Sequence, residues 1–173
     1  MIPGVGGFAG GLVHPLLVPA HLIALLVLGL FIGQQAPRHR VVLRTVLGAS
    51  LIAGVALVVA AFAVMDADVA VLAIAAAAGL AVSVARPFWL ATAWPLPALA
   101  GVAIVLDSVP DDISMAATFM ALVGSGLVAF LIAAAASLVP PRLRRDWQRI
   151  ATRIAGSWIA AVALLVLALR LLR

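Results

Sequence analysis

The chain consists of long apolar stretches separated by short polar segments, and this pattern limits the folds open to it. A bilayer core of about 30 Å needs about 20 apolar residues per helix. Six stretches of roughly this length cover about residues 5–33, 41–64, 68–85, 87–106, 113–139 and 150–172. Only 10% of the residues are charged and 66% are hydrophobic, which leaves too little polar surface for a soluble domain. We therefore predict an all-α, polytopic transmembrane helical bundle, a single domain over residues 1–173.

The charged residues predict how this bundle is oriented. Arginines concentrate between spans one and two, three and four, and five and six, at Arg38, Arg40, Arg44, Arg86, Arg142, Arg144, Arg145, Arg149 and Arg153. Aspartates concentrate in the alternate connections, at Asp66, Asp68, Asp107, Asp111 and Asp112. Because basic loops stay in the cytoplasm, we expect an integral protein of a bacterial-type inner membrane with both termini outside. Arg170 and Arg173 then fall on the outer side, where long side chains reach the interface.

Several function classes are not expected. The net charge is +5, but no soluble domain remains to form a nucleic-acid groove. The chain has no cysteine, so thiolate ligands and disulfides are excluded. It shows no nucleophile–base pair, phosphate-binding loop or dinucleotide motif, so we expect neither an enzyme nor a tightly bound cofactor. The N-terminus lacks the basic region of a signal peptide and is expected to be retained.

Small residues recur at four-residue spacing, as in Gly6-x3-Gly10 and Gly29-x3-Gly33. Such residues let transmembrane helices approach closely. Close packing within one bundle is the favoured interpretation, and pairing between subunits is the alternative.

The first span, FAGGLVHPLLVPAHLIALL over residues 8–26, carries two prolines among its apolar residues. Pro15 and Pro19 each remove a backbone donor and disfavour helix at the preceding residue. We predict a half-helix over about 5–13, a break over 14–19 and a full helix over about 20–33. Irregular backbone at membrane depth needs protein or a wet cavity to cover it, so the break predicts a small polar cavity near the outer mouth.

Two histidines flank this break, and three aspartates lie near the start of span five. Neutral imidazole is a good ligand for nickel, zinc or copper, so His14 and His21 are candidate metal ligands. Alternatively, each ring caps a freed carbonyl or lies at the interface. Asp107, Asp111 and Asp112 either favour the N-terminus of span five or attract cations beside the histidines.

The sequence contains two further features whose roles it does not decide. The segment WPLP over residues 94–97 places two prolines inside span four, which predicts a kink. The kink is either packed or part of a transport site, since discontinuous helices often form such sites. His39 lies in the basic loop after span one and is expected to be solvated.

The segment GFAGGLVHPLLVPAH, residues 7–21, resembles the opening motif of the HupE/UreJ family of hydrogenase- and urease-accessory membrane proteins. That motif reads Gly-Phe-x-x-Gly-x-x-His-Pro-x-x-Gly-x-Asp-His. The matching positions are Gly7, Phe8, Gly11, His14, Pro15 and His21. Val18 replaces the later glycine, and Ala20 replaces the aspartate. A second family motif, Phe-His-Gly-x-Ala-His-Gly, corresponds to residues 106–112, with Asp107 and Asp111 at the histidine positions.

The resemblance implies a permease or accessory protein for uptake of nickel or a related divalent metal. In this interpretation His14 and His21 ligate the ion and Asp107 and Asp111 attract it. The ion, nickel, cobalt, zinc or copper, would be a substrate, and the partners would be this ion and the lipid bilayer. Replacement of the family aspartate by Ala20 removes a carboxylate that would orient an imidazole. The alternative is therefore a non-transporting subunit or scaffold of a larger membrane complex.

Overall fold

The chain forms a bundle of helices in the computed structural model, which describes residues 7–60, 67–110 and 114–172. Within these ranges every regular element is helical, so the prediction of an all-α membrane bundle is confirmed. The helices are α1 (Gly7–Leu17), α2 (Pro19–Gln34), α3 (Pro37–Val59), α4 (Asp68–Val84), α5 (Leu90–Ala93), α6 (Pro95–Leu106), α7 (Met115–Ala136) and α8 (Asp146–Leu171). A 3-10 turn at Pro140–Arg142 precedes α8.

The helices differ in how readily they can cross a bilayer. Within the described ranges, α3, α7 and α8 are long and apolar enough to do so alone. The bent pair α1–α2 meets the same criterion only when its two helices are counted together, as one broken span or a re-entrant loop. The 17 residues of α4 extend about 26 Å at the usual rise per residue, the lower end of the length that suffices. Helices α5 and α6 together form a second short apolar unit, Leu90–Leu106. The count of six spans therefore stays a prediction for these two units.

Proline and one left-handed residue determine several helix ends. Helices α2, α3 and α6 each begin at a proline: Pro19, Pro37 and Pro95. The missing N–H costs nothing there, because the first turn of a helix has no internal acceptor for it. Helix α4 ends at Ala85, which has φ 54° and ψ 36°. This left-handed conformation stops the helix ahead of the predicted turn at Arg86.

The prediction of a break over residues 14–19 is wrong in its extent. Helix α1 continues through His14 and Pro15, and only Val18 separates it from α2. Val18 has φ −92° and ψ 104°, the extended conformation imposed on a residue before proline, here Pro19. Pro15 interrupts the hydrogen bonding by one donor only, and the N–H of Val18 again donates to the carbonyl of His14 at 3.1 Å. The two helices nevertheless meet at a bend of 73°.

Helix α2 lies at the centre of the bundle and contacts both α4 and α7, whereas α1 packs against α7. Glycines permit the closest contacts. A Cβ atom on Gly11 would overlap the carbonyl oxygen of Ala121, and one on Gly29 would overlap that of Ala133. Gly33 lies equally close to the carbonyl of Ser137. The spacing of Gly29 and Gly33 therefore serves packing within this bundle, the first of the two interpretations.

The ends of α2, α4 and α7 meet the beginnings of α3, α5 and α8 at one end of the bundle. Oε1 of the buried Gln35 accepts a hydrogen bond from the N–H of Phe88 at 2.7 Å, and Nε of Arg44 donates to Oγ of Ser137 at 2.9 Å. The basic end, as we call it, carries Arg38, Arg40, Arg44, Arg86, Arg142, Arg144, Arg145, Arg149 and Arg153. The three arginine-rich connections thus lie together, as the charge pattern predicts.

The opposite end carries Asp68 and Arg170. Their side chains form an ion pair, with Nη2 of Arg170 at 3.0 Å from Oδ2 of Asp68. Arg170 therefore has a carboxylate partner, and its reach toward the interface stays a prediction. The contact ties the end of α8 to the start of α4.

The prolines of residues 94–97 interrupt the helix only slightly. Trp94, between α5 and α6, retains helical angles of φ −67° and ψ −30°. The hydroxyl of Ser50 on α3 donates to the carbonyl of Pro97 at 3.0 Å. A neighbouring helix thus contacts the backbone at the interruption, which fits the packed-kink interpretation.

Candidate functional site

A histidine and an aspartate meet inside the bundle at the start of α2. His21 lies in the first turn of α2 and is fully buried, at 0% exposure. Asp107 is the C-terminal cap of α6. Nε2 of His21 lies 2.8 Å from Oδ2 of Asp107. When Asp107 is ionised its carboxylate can only accept, and in that state Nε2 of His21 is the donor. In the neutral ring this leaves Nδ1 with a free lone pair.

A second imidazole lies beside this pair. The ring centroids of His14 and His21 are 5.3 Å apart, and the ring planes are inclined by 62°. Helix α1 brings His14 to this position because Gly11 and Gly124 let it cross α7 at backbone contact.

Two ring nitrogens of this histidine pair have no partner. Nε2 of His14 and Nδ1 of His21 are buried and make no hydrogen bond within the described residues. Buried polar atoms nearly always have a partner, so two such atoms on adjacent rings call for an explanation. Among the described residues neither of these two nitrogens bonds a carbonyl, so the carbonyl-cap interpretation gains no support from them.

Asp107 occupies a position that its own helix does not favour. The C-terminal end of a helix carries partial negative charge, which disfavours a carboxylate. Ionisable side chains within a transmembrane bundle are also costly and usually functional. The contact with His21, and the positive N-terminal end of α2 beside it, offset this cost. Asp107 thereby supplies to His21 the carboxylate that the family motif would place at Ala20.

The site lies about midway along the bundle. Ser108, next to Asp107, accepts a hydrogen bond from Oγ of Ser125 at 3.2 Å. Ser125 is midway along α7, so this level is about 16 Å from either end of that helix. The depth follows from the chain path, because α2 begins and α6 ends at the middle of α7.

The fourth candidate, Asp111, lies outside the described residues together with Asp112, and its role stays a prediction. Helix α7 has a different cap, since Oγ of Ser114 accepts from the N–H of Ala117 at 3.4 Å. Across the part of the chain that is described, no three His, Cys, Asp or Glu side chains form a group that could hold a metal ion. The described site is therefore an imidazole pair with one orienting carboxylate.

Two serines beside the site were not predicted from the sequence, and one histidine differs from its prediction. Oγ of Ser108 donates to the carbonyl of Ile104 at 2.6 Å and, through Ser125, joins the end of α6 to α7. Ser125 lies between two glycines, and such a run of small residues is typical of close contact between transmembrane helices. This pattern could have identified Ser125 from the sequence. His39 is not simply solvated, because its Nδ1 atom is buried without a hydrogen-bond partner in the described chain. It lies at the basic end, in the first turn of α3.

Comparison with known proteins supports the motif resemblance. A family model described as HupE / UreJ protein matches residues 2–166, nearly the whole chain. Comparisons with the curated proteins and with the solved structures give no significant match.

Proposed function

The chain belongs to the HupE/UreJ family, and we propose that it is a membrane permease that takes up a divalent transition metal ion, nickel or a similar ion. One observation carries this proposal. Nε2 of His14 and Nδ1 of His21 are buried on neighbouring rings without a hydrogen-bond partner in the described residues. An ion bound by both nitrogens would satisfy them.

The chemistry of the pair fits such an ion. A metal at about 2.1 Å from one nitrogen of each ring leaves two imidazole centroids about 5 to 6 Å apart, and the observed 5.3 Å lies in this range. The hydrogen bond from His21 to Asp107 orients the ring and raises its basicity, as carboxylates do beside metal-bound histidines. Two nitrogen ligands suit nickel, cobalt, zinc or copper.

The incomplete ligand set is consistent with transport. An ion that must leave the protein needs a site that binds it only moderately. Two imidazoles leave coordination positions for water, and Asp111 is a further candidate ligand. A resident metal would instead be expected to have a complete set of protein ligands.

The proposed direction is from outside to the cytoplasm. The basic end of the bundle is placed in the cytoplasm by the positive-inside rule, with both termini outside in a bacterial-type inner membrane. The chain has no nucleotide-binding motif, so we assign the energy to the ion gradient and the membrane potential. A potential of 100 mV is worth about 2.3 kcal/mol for each charge that crosses.

The test compares the three histidines of the chain. Protein purified with a tag that contains no histidine is titrated with nickel by calorimetry, and nickel uptake is measured in proteoliposomes. We expect His14→Ala and His21→Ala to lose both binding and uptake. His39→Ala, at the basic end, is the matched control and should retain both. Unchanged binding in the His14→Ala/His21→Ala double variant would refute the assigned site.

A second candidate function is a non-transporting accessory subunit or scaffold. Two observations favour it: the described residues supply no three-ligand group, and only 17% of the apolar window of α8 is buried, which leaves a face for a partner. The same proteoliposomes distinguish the two functions. Nickel binding without uptake, together with a stoichiometric protein partner in mild detergent, would favour the accessory role.

A further inference from the structure

Helix α8 is attached to the bundle almost entirely through α4. The two helices touch at Gly79 and Gly156, where a Cβ atom on either residue would meet the other's carbonyl oxygen at 2.6 to 2.8 Å. Toward the basic end this contact opens into a groove of about 350 Å³. The groove is lined by Ser83, Ile150, Arg153, Ile154 and Ser157.

Arg153 is the charged residue of this groove. Its side chain is exposed, and Nε donates to the carbonyl oxygen of Ser83 at 3.0 Å. That carbonyl belongs to the last turn of α4, where no N–H group of the same helix is available to donate to it. The hydrogen bond fixes the guanidinium while using only one of its five N–H groups. Arg153 forms no salt bridge with a carboxylate of the described residues.

The groove combines a guanidinium with apolar side chains near the basic end of the bundle. A planar guanidinium matches phosphate oxygens in geometry and charge. Arg149 lies one turn earlier on the same face of α8 and adds a second positive charge. Ile150 and Ile154 continue this face with apolar surface. The hydroxyls of Ser83 and Ser157 donate to carbonyls of their own helices at 2.7 and 2.9 Å, so the arginines supply the donors.

We propose that this groove binds an anionic phospholipid, with its headgroup phosphate at Arg153 and an acyl chain along the α4–α8 contact. The basic end is the side on which anionic lipids attract basic residues. A lipid in this position contacts both helices and therefore strengthens the attachment of α8. The proposal does not depend on metal transport.

The experiment compares two arginines of the basic end. Arg153→Gln removes the groove charge, and Arg38→Gln, an exposed arginine on α3 outside the groove, is the matched control. Native mass spectrometry measures binding of phosphatidylglycerol and of phosphatidylcholine with the same acyl chains. We expect wild type and Arg38→Gln to bind phosphatidylglycerol preferentially. Binding to Arg153→Gln should be weaker by about five- to tenfold, the order expected for one basic residue at the membrane surface.

Three outcomes would overturn the proposal. Equal loss in the two variants would indicate diffuse attraction by the whole basic end. Equal binding of the two lipids would show that no anionic headgroup is recognised. Displacement of the lipid by millimolar inorganic phosphate would indicate a site for free phosphate.

A second measurement keeps the test independent of folding defects. Phosphatidylglycerol should raise the midpoint of thermal unfolding of wild type and of Arg38→Gln, and should not raise that of Arg153→Gln. Circular dichroism checks that helix content is unchanged. Arg153→Lys keeps the charge but loses the planar fork and should lose part of the effect. A wild-type response in both Arg153 variants would contradict the proposal.

Discussion

Nε2 of His21, in the first turn of α2, lies 2.8 Å from Oδ2 of Asp107 at the end of α6, although the residues are 86 positions apart. The contact places a carboxylate where its own helix disfavours it. The other ring nitrogen of His21, Nδ1, has no hydrogen-bond partner among the described residues. Asp107 is therefore the residue whose replacement best tests whether the pair serves metal binding.

We predict that Asp107→Asn weakens nickel binding about 10- to 100-fold, the usual effect of losing the carboxylate behind a metal-binding histidine. The amide has nearly the same shape, so packing should change little. Calorimetry of purified protein measures the affinity. Asp146→Asn, an exposed aspartate in the first turn of α8, is the control and should bind like wild type. Equal affinities for all three proteins would show that Asp107 has no part in binding.

The contact between α1 and α7 gives a prediction about stability. Gly11→Ala should destabilise the bundle by roughly 1 to 3 kcal/mol, the cost of overpacking, because the new methyl group meets the carbonyl of Ala121. Gly126→Ala, on α7 with nothing within 4 Å of its Cβ position, should be nearly neutral or slightly stabilising. Thermal unfolding in detergent measures both. Similar effects of the two substitutions would mean that the close contact between Gly11 and Ala121 does not limit stability.

The bend at Val18 gives a third prediction, in which the two prolines differ. Pro19→Ala frees Val18 to become helical, so α1 and α2 should straighten and the two imidazoles should separate. Nickel affinity should fall although both histidines remain. Pro15→Ala leaves the Val18–Pro19 step intact and should retain most of the affinity. If Pro15→Ala has the larger effect on nickel titration, the bend is not what holds the two rings together.

Orientation in the membrane can be tested by thiol labelling, since the chain has no native cysteine. An impermeant reagent applied to intact cells should label Met115→Cys and Val69→Cys. It should label Arg38→Cys and Arg144→Cys only after the cells are opened. Labelling of the two arginine positions in intact cells would reverse the proposed orientation.

Most of the helical architecture could be predicted from the sequence, because apolar length and proline positions act locally. The rotation of each helix about its own axis could not be predicted from the sequence. Lipid tails are as apolar as leucine side chains, so hydrophobicity does not distinguish a buried face from a lipid-facing one. Leu25 is 0% exposed and its neighbour Leu26 is 40% exposed, although both are leucine.

The candidate site, too, could be predicted from the sequence only in part. The two histidines could be identified from the family motif, and Asp107 from its alignment with a family histidine. The direct contact between Asp107 and His21 could not be predicted, because it depends on how far α6 extends beside α2. The replacement of the family aspartate by Ala20 suggested that His21 lacks an orienting carboxylate. In the structure that carboxylate belongs to Asp107, on a different helix.

The contact between α2 and α6 sets an order of events in biosynthesis. Chains are made from the N-terminus, so His21 enters the bilayer well before Asp107 leaves the ribosome. The pair therefore closes late and only if α6 docks against α2 in the correct register. A chain that docks out of register retains an unpaired histidine and an unpaired aspartate in the membrane, a costly arrangement that opens the bundle to degradation.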